Sequence, residues 1–196
     1  MSTKHSKAAA RFIENRKQEA WHDETLWMVR VKRDKMSHSL PEWERLRELA
    51  CEIKLYSNSH LDVLLEEFEK NATANGAIVH WAKDAAEHNA IVEEILQQHK
   101  AHTLIKSKSM LTEECGMNDY LFGKGYDIIE SDLGERILQW MKLHPSHIVM
   151  PAIHIKRQEV GEMMERVLGT EKGNSDPTYL THAVRKNTVS YTHLRA

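Results

Sequence analysis

The fold class is indicated most clearly by TLIKSKSMLTEECGMNDYL (residues 103–121), followed by YDIIESDLGERILQW (126–140) and PSHIVMPAIH (145–154). Each contains a short apolar run that ends in a polar cluster, at 106–109, 130–132 and 151–154. Helix-like sequence separates the runs, so the pattern predicts repeated strand, loop and helix. In open parallel α/β sheets, ligands bind beyond the carboxyl ends of the strands, where helix N-termini direct partial positive charge. The three clusters therefore predict one shared pocket.

The sequence predicts four strands, at residues 77–81, 103–105, 126–129 and 147–150. The spacing between their starts leaves room for a helical crossover and exceeds that of a hairpin, so we expect parallel, right-handed pairing. Asp84 and Asp132 precede two of the crossover helices and are expected to cap them. The predicted fold is an α/β domain with an open, mostly parallel sheet and flanking helices.

Residues 1–75 are predicted to form a helical N-terminal segment, because apolar residues recur there at helical spacing, as in Trp27 and Val31. Helix starts are indicated at 39–42, a capping box with proline in the first turn, and more weakly at 59–62. The large side chains of this segment are expected either to pack internally or to contact a partner subunit. They include Trp21, Trp27, Met28 and Trp43.

Two helices are predicted after the third cluster, one at 157–168 and one beginning at Pro177. Four strands leave an open sheet edge, which complete domains usually cover. We therefore expect residues 76–186 to be part of a larger α/β domain. Residues 187–196 are interpreted as a tail that need not belong to the native continuation.

Composition narrows the function classes. The formal net charge of -2 gives no electrostatic reason to expect nucleic acid or an acidic membrane as main partner. The two cysteines, Cys51 and Cys115, form neither a CxxC motif nor a disulfide framework, which favours a reduced, cytoplasmic setting. No run approaches the roughly 18 apolar residues of a membrane span, and the first residues lack the apolar region of a secretory signal. The sequence predicts a soluble protein.

The blocks at 106–114, 131–135 and 145–154, in this order and spacing, resemble the lactate-utilisation protein B family, whose shared module is the LUD domain. The resemblance covers roughly residues 10 to 186. It implies a fold similar to the sugar-phosphate isomerase and CoA-transferase superfamily. It also implies a cytoplasmic iron-sulfur protein that helps oxidise L-lactate to pyruvate together with other lactate-utilisation subunits.

Relatives in that family continue into cysteine clusters that hold 4Fe-4S centres. With two cysteines, this chain cannot ligate such a centre, so we expect no cofactor in the chain itself and 4Fe-4S clusters in the full-length family protein. The chain alone is expected to be inactive.

Lys106, Ser107 and Ser109 are the candidate substrate-binding residues. A cation and two hydroxyls between a strand and a helix suit a small carboxylate at a helix N-terminus. The family resemblance favours this interpretation. The structural alternative is a solvated loop in which Ser109 only caps the helix.

His154, Glu113 and Asp132 are the candidate catalytic residues. An imidazole titrates near neutral pH, and a carboxylate near an apolar wall can act as a base. The structural alternatives are a buried histidine, a first-turn acid at Glu113 and an N-cap at Asp132. No metal site is expected, because the paired histidines lack a carboxylate set at ligand spacing.

Two other functions stay open. The domain can serve as a non-redox binding or assembly module of a multi-subunit complex, docking through its helical N-terminus. An isomerase or thioester-transfer enzyme follows from analogy of fold alone, which is a weak warrant.

Overall fold

The structure, a computed structural model, describes residues 5–193 and consists mostly of helices with one small parallel sheet. In chain order, the described elements are α1 (His5–Glu14), α2 (Arg16–His38), α3 (Trp43–Ser59), α4 (Leu61–Ala74), α5 (Ala85–Gln98), β1 (Thr103–Lys106), α6 (Met110–Glu114), α7 (Met117–Gly123), β2 (Asp127–Glu130), α8 (Leu133–Met141), α9 (Arg157–Leu168) and α10 (Pro177–His193). This architecture agrees with the predicted α/β class. None of the described helices has the length and apolar content that a membrane span requires.

The described residues form two compact units, one covering Asp23–Trp81 and the other the remainder. Residues 1–4 of the predicted helical segment and 194–196 of the predicted tail lie outside the described residues. Residues 187–193 continue α10. The predicted helix over 157–168 is confirmed as α9.

The 23–81 unit contains most of α2 together with α3 and α4, as the helical periodicity predicts. The helix start predicted at 39–42 is displaced: the Ser39 hydroxyl donates back to the Met36 carbonyl at 2.7 Å, and α3 begins at Trp43. Ser39 therefore closes α2 instead of opening α3. Neither α3 nor α4 buries a side chain in the described structure.

The sheet consists of β1 and β2, which pair in parallel and confirm the second and third predicted strands. Helices α6 and α7 form the crossover between them. The register aligns Thr103 with Asp127 and Lys106 with Glu130. Both strands therefore end at the same edge of the sheet.

The predicted strands at 77–81 and 147–150 are wrong: the structure describes both segments as irregular. Ile78 is 83% exposed, so its apolar run is not buried against a sheet. In the second segment the His147 ring nitrogen Nδ1 accepts from the backbone N–H groups of Val149 and Met150, at 3.0 and 3.1 Å. A strand needs a neighbour for its backbone groups, and here a side chain satisfies them and produces a turn.

Two aspartate residues cap helices as predicted, whereas the Ser59 hydroxyl, like that of Ser39, donates back to the preceding helix. The Asp84 carboxylate accepts from the Glu87 backbone N–H at 2.9 Å and starts α5. The Asp132 carboxylate accepts from the Glu135 backbone N–H at 3.1 Å and starts α8. Both predicted N-caps are confirmed.

Two apolar clusters hold the larger unit together. The first lies between α8, α9 and α10 and comprises Ile137, Met163, Met164, Leu180 and Val184. The second lies between α5, α7 and β2 and comprises Leu96, Met117, Leu121 and Ile128. Helix α8 packs against β2 and against α9, so it joins the sheet to the C-terminal helices.

Candidate functional site

A cavity of about 590 Å³ lies at the end of β2, bounded by α6, α7, α8 and the turn after α8. Gln139 of α8 determines which face of that helix lies against the cavity. The Gln139 side-chain amide donates to the Ile128 carbonyl of β2 at 2.6 Å, which holds α8 against the strand. Glu135 lies one helical turn before Gln139 on the same face, so its carboxyl group is directed toward the end of β2. The lining residues are Thr112, Glu113, Gly116, Asn118, Asp119, Phe122, Glu130, Glu135, Leu138, Gln139, Lys142, Leu143, His144 and Pro145.

An ion network connects the two strand ends beside this cavity. The Lys106 ammonium contacts Glu130 Oε1 and lies 3.7 Å from Glu113 Oε1. The Asn118 amide donates to Glu130 Oε1 at 2.9 Å and to Glu113 Oε1 at 3.4 Å. Because the Lys106 and Glu130 side chains are only 10% and 2% exposed, water screens their attraction little. The positive charge of Lys106 is thus largely offset by carboxylates.

Three polar atoms at the cavity are buried and have no hydrogen-bond partner among the described residues: Glu130 Oε2, Glu135 Oε1 and Asn118 Oδ1. Burial raises the pKa of the Glu135 carboxyl group above its ordinary value of 4.5, and the nearby charges of Glu113 and Glu130 raise it further. Lys106 and Lys108 act in the opposite direction. Glu135 therefore holds a proton more readily than an exposed glutamate does.

The first two sequence blocks meet through the backbone as well. The backbone N–H and the hydroxyl of Ser131 both donate to the Lys106 carbonyl, at 2.8 and 3.0 Å. Ser107 is exposed after β1, and Ser109 caps α6 by accepting from the Thr112 backbone N–H at 3.4 Å. Ser109 thus has a structural role, and its substrate contact, like that of Lys106 and Ser107, stays a prediction.

Pro151, in the third sequence block, lies against the first turn of α8. A Cβ added at Gly134 would lie 2.8 Å from Pro151 Cγ, so only glycine lets the proline ring sit on the first turn of α8. His154 is buried, and its Nδ1 lies 2.7 Å from the Ser146 hydroxyl. Burial lowers the pKa of His154, and His22 lowers it further.

The predicted residues are therefore only partly brought together. Lys106 and Glu113 form one network, and Glu113 lines the cavity. Asp132 caps the helix that carries Glu135. Of the described residues that line the cavity, none is His154 or Asp132. The proton-transfer roles of Glu113, Asp132 and His154 stay predictions.

Sequence reasoning did not single out Glu130, Glu135 or Asn118 as site residues, although Glu130 belongs to the second predicted polar cluster. Glu130 closes an apolar run and aligns with Lys106 in the register, which is a signal once the two strands are paired correctly. Glu135 has the pattern of a first-turn helix acid, and only the packing of α8 against β2 reveals its burial. Asn118 gives no sequence signal that distinguishes it from a surface residue.

In the part of the chain that is described, no group of three His, Cys, Asp or Glu residues could hold a metal ion. Cys51 is exposed and Cys115 is half-buried, and both are free thiols.

Comparison with known proteins gives a consistent set of relatives. The family model for the LUD domain matches residues 65–188. The chain is 38% identical over 159 residues to lactate utilization protein B 1 of Bacillus mycoides (strain KBAB4), covering 80% of the chain and 33% of that protein. It is 40% identical over 151 residues to lactate utilization protein B of Bacillus pumilus (strain SAFR-032), covering 76% and 32%.

A third relative carries a different name. The chain is 36% identical over 158 residues to the uncharacterized electron transport protein YkgF of Escherichia coli (strain K12), covering 81% of the chain and 33% of that protein. The chain thus spans about a third of the length of the curated relatives it matches. No solved structure matches the chain.

Proposed function

The chain belongs to the LUD domain family, and we propose that it forms the LUD part of an iron-sulfur oxidoreductase subunit that takes part in oxidising L-lactate to pyruvate. The observation that carries this proposal is the similarity to proteins named lactate utilization protein B, at 38% and 40% identity. The family match over residues 65–188 includes every residue that lines the cavity.

In this proposal the chain binds the carboxylate of lactate through Lys106, Ser107 and Ser109. An ammonium group has three N–H donors, so the contacts of Lys106 with Glu130 and Glu113 leave a donor for a substrate. Ser107 is exposed and its hydroxyl is open to solvent. Ser109 would share its oxygen between the helix cap and the substrate.

Oxidation of lactate to pyruvate releases two electrons and two protons. We assign proton handling to His154 and to a carboxylate from Glu113 or Asp132. The lowered pKa of His154 favours a neutral imidazole, which can accept a proton. The electrons require a redox centre, because amino-acid side chains do not supply hydride or electron acceptors of this kind.

The residues of this chain do not fit a 4Fe-4S cluster, which takes four ligands, usually thiolates, because the sequence has only two cysteines. We therefore propose that the clusters are held by another part of the full-length family protein, and we route no step through them here. A cytoplasmic location and other lactate-utilisation subunits as partners belong to the same proposal.

Cluster reduction tests this function directly. Iron and sulfide are reconstituted anaerobically on the full-length protein with its partner subunits, and the cluster absorbance is followed after L-lactate is added. We expect bleaching with L-lactate and none with an equal concentration of acetate, which has no hydroxyl group to oxidise. An absorbance that does not respond to L-lactate contradicts the lactate assignment.

A second candidate function, a non-redox assembly module, is favoured by the exposed apolar residues of the 23–81 unit. Val31, Leu55 and Phe68 are large apolar residues, and each of them is more than half exposed. The partner in this case is another lactate-utilisation subunit. Co-purification and size-exclusion chromatography with those subunits test it, and separate elution of the two proteins would count against docking.

A further inference from the structure

The cavity at the end of β2 offers hydrogen-bond acceptors without donors to match them. Glu130 and Glu135 are 2% and 5% exposed, and Glu130 Oε2 and Glu135 Oε1 have no partner in the described part of the chain. Asn118 Oδ1 is also buried without a partner there. Its orientation is fixed, since the Asn118 Nδ2 atom donates to two carboxylates and a flipped amide would set oxygen against them. In its ionised form Glu135 is an acceptor like Glu130, and a bound cation favours that form. A ligand that satisfies these atoms must therefore donate hydrogen bonds.

The charges around these acceptors select a cation. The carboxyl groups of Glu113, Glu130 and Glu135 face the same region, and Lys106 offsets only part of their charge. Lys142 and His144 also line the cavity but are exposed, so solvent screens them more than it screens the buried glutamates. The cation is organic, because the cavity is far larger than a metal ion and has an apolar wall. Among the residues described, no group of three suitable metal ligands occurs either.

The size and walls of the cavity indicate a whole small molecule. Its volume of about 590 Å³ falls within the usual range of small-molecule sites and exceeds what one inserted side chain would fill. Phe122, Leu138 and Leu143 supply an apolar wall. We propose that this cavity binds a small molecule with an ammonium or guanidinium head, directed at Glu130 and Glu135, and a short apolar body against Phe122 and Leu138. This ligand is distinct from the lactate anion of the proposed function.

Calorimetric titration of the 196-residue chain with n-butylguanidinium tests the proposal. We expect saturable binding in the micromolar to millimolar range. Two probes serve as controls: butyltrimethylammonium has the charge and the tail but no N–H donor, and butyrate has the tail with opposite charge. Both are expected to bind at least tenfold more weakly, a difference of about 1.4 kcal/mol.

Variants locate the binding. Glu130→Gln and Glu135→Gln are each expected to weaken n-butylguanidinium binding at least tenfold. Glu162→Gln, an exposed glutamate of α9 outside the cavity lining, makes the same change in net charge and is expected to bind as the unmodified chain does. Circular dichroism confirms folding of each variant, and if Glu130→Gln unfolds, Glu135→Gln alone decides.

Three results would overturn the proposal. They are absence of saturable binding up to about 10 mM probe, equal affinity for n-butylguanidinium and either control probe, and unchanged affinity in the folded glutamate variants. None of these results bears on lactate-dependent cluster reduction, so the two proposals fail independently.

Discussion

Replacing Lys106 by methionine is expected to lower the free energy of unfolding by about 3–5 kcal/mol, because it leaves a buried carboxylate without its cation. The Glu130 side chain is only 2% exposed, and its Oε1 atom contacts the Lys106 ammonium. Methionine keeps the apolar stem of lysine, so the loss reports charge more than packing. Asn118 still donates to Glu130 but carries no positive charge.

Urea denaturation of Lys106→Met measures this loss. Because the loss is a large share of the roughly 5–15 kcal/mol that stabilises a typical domain, sucrose is added to all the proteins compared to stabilise the folded state. Lys124→Met is the matched control. Lys124 pairs with Glu93 at 3.5 Å but is 50% exposed, so the same substitution there is expected to cost about 1 kcal/mol or less.

The double variant Lys106→Met with Glu130→Gln, measured together with Glu130→Gln alone, forms a double-mutant cycle for this ion pair. Glutamine retains an oxygen for Asn118 and removes the buried charge, so this variant is expected to recover most of the stability lost in Lys106→Met. Equal losses for Lys106→Met and Lys124→Met would contradict this prediction, since burial would then make no difference to the ion pair. Unchanged denaturant slopes are required for the comparison.

Three further changes test other parts of the structure. The raised pKa of Glu135 means that the folded state holds this proton more tightly than the unfolded state does. The free energy of unfolding therefore falls as the pH rises from 4.5 through the folded-state pKa. Urea titrations across that pH range should show Glu135→Gln gaining stability relative to the unmodified chain. The lowered pKa of His154 has the opposite sign, so stability is lost as the pH falls below 6.5, and thermal melts of His154→Gln should be less sensitive to acid in that range. Gly134→Ala places a methyl group 2.8 Å from a proline ring, which should lower the free energy of unfolding by about 1–3 kcal/mol. The roughly 1 kcal/mol that alanine gains over glycine in a helix offsets part of this loss. In the same urea titrations Gly123→Ala, whose methyl group meets nothing within 4 Å, should be neutral or stabilising.

Local signals in the sequence predicted most helices, because their determinants lie within a few residues of one another. Asp84 and Asp132 cap the helices that they precede, and the apolar periodicity of 157–168 gives α9. Ser39 is the instructive exception. Its hydroxyl can bond a backbone carbonyl of the preceding helix or a backbone amide of the following one, and it donates to the preceding helix.

Strands were harder to predict because pairing is not a local property. The apolar runs at 103–105 and 126–129 pair as strands across one crossover. The runs at 77–81 and 147–150 have the same apolar character, but neither pairs as a strand in the described structure. The sequence therefore indicated the right class and overestimated the sheet. For the same reason it anticipated that the first two polar clusters meet, and it missed that Glu130 and Glu135 are buried.

All the described residues that line the cavity come from the continuous stretch between Thr112 and Pro145. Bringing residues of one short stretch together closes only short loops, which costs less loop-closure entropy than joining distant segments. The cavity lining therefore has a low contact order, a property that is typical of structure that forms quickly.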